Sequence, residues 1–491
     1  MAKIRLQSIK EKWLWIVAGV GCAVLVALLI SYLGVLGGGV FILLPFAVFA
    51  IVLTYNMPIL TLYGFIIYSF FVYAFDRYIV HDAFPVGILC DGLIFYIYAL
   101  LFVKGVSRKI SWRNWGDSPF IVLLIWLFYC IISLFNSESP GLDPWFRGIR
   151  PYLYLSLTVP LFCMLLEYKT IKIVLFLWGV CSMILTAKGF MQTIRLDSEE
   201  TMLLATPFAQ THLLWGKLRV FSLLCDAGQF GVQQAHAATA GAILFLISKK
   251  RTEKIFFLLM GLTGLWGMFA SGTRGAIFVI LGGAMAYTFL VKNMKLLILA
   301  VVLGGGFYVF MRYTHIGDGN YSIYRMRTAF QPKNDASFNV RMINQKKLKA
   351  YLASRPFGGG LGSMEHGPEN SLLTKIPYDS GYVLTWGDQG IVGVLLYIAM
   401  YLYFLVQGAY AVWFKIKNEW LRGVLIALIA GISGDMVAHY GNPIMLQHPT
   451  DLILIFSIGV IFCAPRIDRK LSEDKSETII TEAPTKNLQK R

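Results

Sequence analysis

Long apolar stretches separated by short polar segments dominate this chain. In lipid, each backbone N–H and C=O group needs a partner within the chain, so every such stretch is predicted to be a helix. The stretches lie at 13–34, 37–55, 59–75, 86–103, 118–135, 151–166, 173–192, 230–248, 255–270, 275–291, 296–311, 390–412, 420–438 and 450–464. They predict an all-α fold, a polytopic transmembrane helical bundle of about fourteen helices.

Positively charged residues accumulate on alternate segments between these stretches. One side of the predicted bundle holds the basic segments 3–12, 104–113 and 249–254, and the short connections on the other side hold few positive charges. The positive-inside rule places the basic side in the cytoplasm. An even number of helices then predicts that both termini are cytoplasmic. The polar segment 465–491 is predicted to be a disordered cytoplasmic tail.

Composition favours a bilayer over water as the solvent. The 491 residues are 57% hydrophobic and 14% charged, whereas soluble proteins are about 25% charged. The net charge of +17 is compatible with nucleic-acid binding, but topology explains charge in loops between apolar helices, so no nucleic-acid partner is predicted. Most cysteines lie within apolar stretches and show no CxxC spacing, so we predict neither a disulfide nor a metal site.

One segment on the opposite side breaks the charge pattern. Residues 312–389 carry ten Lys and Arg, and a long loop can cross the membrane despite its charges. A structureless loop of this length is unusual, so we expect one or two helices inside it, one of them around Val340–Ser354. The predicted organisation is a transmembrane domain over 1–464, with the extracytoplasmic loop 312–389 inserted in it.

Four polar features fall on the predicted outer face. They are the segment Arg219–Gly231, the turn Ser271–Gly275 that contains Arg274, a basic segment with Arg325, Arg327 and Arg341, and Asp379-Ser380 followed by Gly390 and Gly393. Each has a plain structural explanation: interfacial snorkelling for arginine, a solvated helix face for the basic run, and close helix packing for the glycines. His236, on an apolar helix, is predicted to be a packing residue rather than a ligand.

Taken together, the arginines suggest one anion site at headgroup depth. The planar guanidinium matches phosphate oxygens and stays charged at any working pH. A lipid diphosphate at the membrane surface is a natural partner for such a cluster. If the diphosphate is a leaving group, arginines can stabilise its developing charge without a metal or another cofactor.

These motifs resemble the O-antigen ligase and Wzy-type polysaccharide polymerase superfamily over roughly residues 210–415. That family has an Arg and a polar turn before a mid-chain helix, a Ser-x-Ser/Thr-Arg-Gly turn, and an Arg-led helix that ends in a Pro- and Gly-rich turn. The resemblance implies a GT-C-like bundle in the bacterial inner membrane. Ligases also carry a His-containing pair of residues, followed after nine residues by Gly-x-x-Gly. In this chain Asp379-Ser380 precedes Gly390 and Gly393 at the same spacing, but aspartate stands in place of the histidine.

The resemblance implies a Wzy-type polymerase. It would move a glycan from an undecaprenyl-diphosphate donor onto a sugar hydroxyl of a lipid-linked repeat unit, with inversion and without metal. The diphosphate-binding candidates are Arg219, Arg274 and Arg341, with Arg325 and Arg327 as second-tier candidates. The catalytic candidates are Arg274 and Asp379, the latter as base or acceptor-orienting group, and His366 is an alternative imidazole. A monomer in membrane lipid is the default.

Two alternatives stay open. A ligase would attach finished O-antigen to lipid A–core. The aspartate at position 379, where ligases have histidine, counts against this alternative. A transporter of lipid-linked oligosaccharide would place polar groups at the bilayer midplane. The candidates for such groups, Lys188 and Asp435, are interpreted as too few and unpaired.

Overall fold

The structure is a computed structural model that describes residues 35–107, 112–319, 321–331, 336–378 and 380–482. The chain divides into two compact units, one ending at Leu62 and the other beginning at Tyr63. The first unit contains the apolar helix α1, Val35–Asn56, which accommodates Pro45 in its interior. It also contains the first residues of α2, Ile59–Phe75.

The second unit contains the rest of α2 and all later elements. Its helices are α3 Gly87–Val106, α4 Phe120–Ile132, α5 Leu142–Leu165, α6 Tyr168–Ile194, α7 Ser198–Leu204, α8 Ala209–His212, α9 Ala227–Ile247, α10 Arg251–Ala270, α11 Ile277–Val291, α12 Met294–Tyr313, α13 Tyr321–Thr328, α14 Ala336–Leu352, α15 Gly381–Tyr410, α16 Glu419–Ala438 and α17 Thr450–Glu482. Two short antiparallel strands, β1 Leu213–Leu214 and β2 Lys217–Leu218, form a hairpin before α9.

The described helices confirm the predicted transmembrane bundle. Ten of them are long and apolar enough to cross a membrane, and three shorter apolar helices accompany them. These thirteen coincide with the apolar stretches from 37–55 onward, whereas the stretch 13–34 lies outside the described residues. The last helix, α17, continues beyond residue 464 to Glu482, through the start of the predicted tail.

The described part of the long loop contains two helices, where the sequence predicts one or two. The helix α14, Ala336–Leu352, corresponds to the one expected around Val340–Ser354, and α13, Tyr321–Thr328, precedes it. The helix α15 begins at Gly381, ahead of the predicted start at residue 390, and its backbone leaves helical geometry at Gly390, so the predicted stretch corresponds to the segment after this kink. The first turns of α15 contain polar residues, so hydrophobicity alone does not predict this part of the helix.

Small residues bring the central helices into close contact. A Cβ added to Gly241 of α9 would lie 2.8 Å from the backbone nitrogen of Gly261 in α10, and one added to Gly264 would lie 2.6 Å from the carbonyl of Gln234. A Cβ at Gly434 of α16 would clash with the carbonyl of Val279 in α11. Such close approach is how membrane helices gain packing energy when lipid offers no hydrophobic drive between them.

Two polar residues interpreted as unpaired have partners, so that interpretation is wrong. Asp435 of α16 lies with its Oδ2 2.7 Å from Nδ1 of His236 in α9, and both side chains are almost completely buried. Lys188 of α6 lies 2.7 Å from Asp197 and 2.8 Å from Glu200. Pairs between separate elements are set by tertiary packing, which the spacing of these residues along the sequence does not reveal.

The His236–Asp435 pair is expected to stabilise the α9–α16 contact strongly. Replacing Asp435 with alanine leaves a buried imidazole without its partner, and breaking a buried pair costs about 3–5 kcal/mol. Unfolding by SDS in mixed micelles would measure the loss in the free energy of unfolding. A cycle with His236→Ala and the double variant tests the pairing, and additive single effects would contradict it.

Candidate functional site

The turn between α10 and α11, residues 271–275, is the centre of the candidate site. Its hydrogen bonds fix its shape: the Ser271 hydroxyl donates to the Met268 carbonyl at 2.7 Å and accepts the Thr273 N–H at 3.1 Å. Gly272 adopts a φ of 57°, in the left-handed region that glycine tolerates best. Arg274 then opens a short 3-10 turn that leads into α11.

The first turns of α9 pack directly on this turn. Asp226 caps α9 by accepting the Gln229 N–H at 2.9 Å. A Cβ at Gly231 would clash with the Ser271 hydroxyl, and the Thr273 hydroxyl donates to the Ala227 carbonyl at 2.6 Å. The glycine-marked sequence before α9 is therefore explained by its close approach to the turn 271–275.

Arg219 and Arg325 flank the turn. The Nε of Arg219 donates to the Ser271 carbonyl at 3.2 Å, and its Nη2 donates to the Thr273 hydroxyl at 3.1 Å. The Nε of Arg325 donates to the Gly272 carbonyl. A Cβ at Gly272 would lie 2.9 Å from Cδ of Arg325 and 3.8 Å from Cγ of Arg219. Residues more than a hundred positions apart in sequence thus meet at one glycine.

Arg274 and Arg341 extend the cluster to two further elements. Nη1 of Arg274 lies 3.3 Å from the hydroxyl of Thr328 in α13. Nη2 of Arg341 donates at 3.3 Å to the carbonyl of Gly441, in the loop after α16. That loop adjoins the turn, because a Cβ at Gly441 would lie 3.8 Å from Cα of Gly275. Arg219, Arg274 and Arg341 are half-buried, so each is partly accessible from outside.

The helices α13 and α14 are held in place by their apolar faces. Met326 and Phe330 are buried against Ile277 of α11 and Met311 of α12. On α14, the apolar face around Leu348 packs toward α15. The lysines of the basic run 346–349 are exposed, as expected for a solvated helix face.

Arg327 lies apart from this cluster. Its Nε is 2.9 Å from Oδ1 of Asp318, and its Nη2 donates to the Ile316 carbonyl at 2.8 Å. The guanidinium also lies over the ring of Phe310 at the end of α12. These contacts fasten the connection between α12 and α13. The structure therefore does not bring Arg327 together with the other four arginines.

Asp379 lies outside the described residues, so its catalytic role stays a prediction. Its neighbours are fixed near the cluster: the Gly381 N–H donates to the His439 carbonyl at 2.9 Å, and Ser380 caps α15. His439 begins the loop that contains Gly441. The start of α15 and Arg341 thus contact the same short loop.

His366, the alternative imidazole, lies in the segment that follows the glycine-rich turn. Its Nε2 is 3.8 Å from Oε2 of Glu365, and the hydroxyl of Tyr378 donates to Oε1 of Glu365 at 2.6 Å. Glu365 therefore connects the His366 segment to the residue that precedes position 379. A catalytic role for His366 stays a prediction.

The glycine-rich segment 356–364 is anchored on α15 by Asp388. Its carboxylate accepts the Gly362 N–H at 2.9 Å, the Met364 N–H at 2.8 Å and the Ser363 hydroxyl at 3.2 Å. Gly390 has a φ of 66° inside α15, and a Cβ there would clash with the carbonyl of Pro356. The Gly-x-x-Gly sequence therefore begins at a kink within α15, where a second helical segment starts at Gly390 and packs on Pro356.

A polar network missed by the sequence analysis supports the backbone beside Arg219. Oε1 of Gln192 accepts the Ser222 N–H at 2.8 Å, and its Nε2 donates to Glu200 at 2.8 Å. Arg77 donates to the Ser222 carbonyl at 2.8 Å. The capping box from Asp197 to Glu200 is the one sequence signal that could have pointed to this network.

His212 fixes the other side of the same segment. Burial, reinforced by the positive charge of Arg219, lowers the pKa of His212 to about 4 although a bond to the Phe208 carbonyl opposes the shift. The imidazole is therefore neutral near pH 7, and its Nε2 accepts the Ala227 N–H at 3.1 Å. Its backbone carbonyl accepts the Arg219 N–H at 2.8 Å, so His212 positions both Arg219 and the start of α9.

The arrangement suits an anion with several oxygens at a membrane surface. Four guanidinium groups from four elements surround one turn, at an end shared by several membrane-spanning helices. Among the described residues, no group of three or more His, Cys, Asp or Glu side chains is placed to hold a metal ion. The arginines at this site can supply charge stabilisation and hydrogen bonds to such an anion.

Residues 255–398 match the family described as O-antigen ligase, which confirms the predicted resemblance over this segment. The match includes Arg274, Arg325 and Arg341 and ends within α15, whereas Arg219 lies before it. No curated protein matches the chain. Together with the ten candidate spans, the match supports a multi-pass membrane protein of polysaccharide ligation or polymerisation.

Proposed function

Because the chain carries an O-antigen ligase domain at residues 255–398, we propose that it is a Wzy-type polysaccharide polymerase. Its substrates are two lipid-linked glycans, an undecaprenyl-diphosphate donor and an acceptor repeat unit. The observation that carries the proposal is the convergence of Arg219, Arg274, Arg325 and Arg341 on the turn 271–275 and its neighbouring loop.

The reaction is a single displacement at the anomeric carbon of the donor. The acceptor hydroxyl oxygen forms the new glycosidic bond, and the bond from that carbon to the diphosphate breaks. The electron pair leaves on the diphosphate, where the arginines offset the developing charge. The acceptor proton passes to Asp379, with His366 as the alternative base. The products are undecaprenyl diphosphate and a longer glycan of inverted configuration.

The arginine end of the bundle faces the periplasm in this proposal, and both termini are cytoplasmic. The basic short loops on the opposite side support this orientation. A periplasmic site has no supply of nucleotide sugars, so the donor arrives already activated on its lipid. The loop 312–389, inserted in the transmembrane domain, supplies Arg325 and Arg341 to the site.

A ligase is the second candidate, and the family description itself favours it. A ligase would pass the finished polymer to lipid A–core by the same displacement. The polymerase is preferred because position 379 is aspartate where ligases have histidine. Both candidates use the same arginines and the same donor class, so only the acceptor separates them.

Reconstitution of the purified protein tests the proposal. The protein would receive an undecaprenyl-diphosphate-linked repeat unit in EDTA, without nucleotide sugar, and products would be sized on a gel. A ladder of products is the expected result. Transfer only after addition of lipid A–core would replace the polymerase with the ligase. Movement of the substrate across proteoliposomes without any transfer would contradict both and favour the transporter.

A further inference from the structure

A groove opens between α6 and α10 on the surface of the bundle. Its volume is about 420 Å³, and its walls include Met183, Ala187 and Phe190 of α6 and Leu262, Thr263 and Trp266 of α10. Ala187, Phe190 and Leu262 are exposed at the surface of these two candidate membrane spans. We call it the α6–α10 groove.

The walls of this groove present an apolar surface. The Thr263 hydroxyl donates to the Leu259 carbonyl of its own helix at 2.7 Å. The hydroxyl of Thr186, also in the wall, donates to the Ser182 carbonyl at 3.0 Å. Because both hydroxyls are satisfied internally, the groove offers a ligand mainly hydrocarbon and the rings of Phe190 and Trp266, whose centroids are 5.7 Å apart.

The head of the groove lies directly beside the arginine cluster. The Val220 N–H donates to the Ala270 carbonyl at the end of α10 at 3.2 Å. Cγ1 of Val220 also packs on α6, 2.8 Å from where a Cβ on Gly189 would lie. Val220 thus bridges the same ends of the two helices, and Arg219 is the residue before it. Arg219 and the head of the groove therefore lie at the same ends of α6 and α10.

The depth of the groove matches one leaflet. Leu262 lies eight residues before the end of α10 at Ala270, which is about 12 Å along a helix. Half of a hydrocarbon core is about 15 Å. The groove therefore follows the path that a lipid chain takes from a headgroup at the turn 271–275 toward the middle of the bilayer.

We propose that the α6–α10 groove binds the polyprenyl chain of the lipid-linked substrate, with its diphosphate at Arg219. The assignment rests on the proposed function and specifies where the donor lipid lies. Continuity with the arginine cluster selects this occupant, because the chain is covalently joined to the diphosphate. Lipid tails are as apolar as the groove, so the groove mainly orients the donor rather than adding hydrophobic affinity.

Photo-crosslinking tests the groove without requiring transfer. The full-length protein in phospholipid nanodiscs would be labelled with a polyprenyl diphosphate that carries a diazirine in its first isoprene units. Adducts are expected on peptides that contain 183–190 and 262–266, with yield lost when unlabelled polyprenyl diphosphate competes. Adducts elsewhere, or adducts in the groove displaced equally by added phospholipid, would overturn the assignment.

A matched pair of variants adds a second readout. Ala187→Phe fills the groove, whereas Ala284→Phe adds the same ring to an exposed alanine of α11. The first variant should lower adduct yield and transfer from the long-chain donor about tenfold, a change of about 1.4 kcal/mol. Transfer from a donor whose diphosphate carries a methyl group in place of the polyprenyl chain, and so cannot reach the groove, should stay at the wild-type level. Equal adduct yields for both variants would refute the proposal, even if the protein proved not to be a transferase.

Discussion

Alanine at position 274 is expected to lower the rate of glycan transfer by about a hundredfold to a thousandfold, the usual effect of removing one group that stabilises transition-state charge. Arg274 opens the 3-10 turn at the centre of the arginine cluster and remains partly accessible. Lysine at the same position keeps the charge but loses the planar fork, so its activity should be intermediate. Initial rates at saturating donor would measure the effect.

Two controls separate chemistry from folding. Thr328→Val removes the 3.3 Å hydrogen bond between Thr328 and Arg274 while keeping the guanidinium, and it should retain nearly full activity. Arg251→Ala removes an exposed arginine at the opposite end of α10 and should behave as wild type. If Arg274→Ala matched Arg251→Ala in rate, Arg274 would have no part in the reaction.

Asp388→Ala is expected to cause a large loss of stability. The carboxylate is buried and accepts three hydrogen bonds, from the Gly362 N–H, the Met364 N–H and the Ser363 hydroxyl. Alanine leaves the two N–H donors without partners in the interior, whereas the Ser363 hydroxyl keeps its 2.7 Å bond to the Gly360 carbonyl; two unsatisfied donors cost about 2–6 kcal/mol. The yield of monodisperse protein and the free energy of unfolding in SDS titration would both fall.

The asparagine variant calibrates this effect. Asp388→Asn keeps one acceptor oxygen but turns an NH₂ group toward a donor, so its loss should be smaller than that of alanine. Asp143→Ala is the reference, because that carboxylate is exposed and pairs with Arg147 only across one helical turn; a surface pair contributes about 0–1 kcal/mol. Equal stability of the Asp388→Ala and Asp143→Ala variants would show that the 356–364 segment does not depend on Asp388.

The helices were predictable because hydrophobicity is a property of local sequence. The bounds of the helices were harder to predict. The helix α5 begins at Leu142, ahead of the predicted start at 151, and its first turns were missed because they contain arginines. The start of α15 was missed for the same reason. Helix bounds in such polar turns follow from capping and tertiary contacts, which hydrophobicity does not record.

The site was predictable in its chemistry and only partly in its geometry. Topology alone brought Arg219, Arg274 and Arg341 to one side of the membrane, and the structure places them around one turn and the adjoining loop. Arg327 has the same charge and is two residues from Arg325, yet it pairs with Asp318. Side chains two positions apart on a helix point in different directions, so charge and spacing along the sequence could not distinguish Arg327 from Arg325.

The arginine cluster also imposes an order on the biogenesis of this protein. Arg219 is synthesised 222 residues before Gly441, whose carbonyl accepts the hydrogen bond from Arg341. The intervening loop and the last helices must enter the membrane before the four guanidinium groups can meet. An unfinished chain at the translocon therefore lacks the assembled cluster, and under the proposed function it does not yet bind the lipid-linked donor.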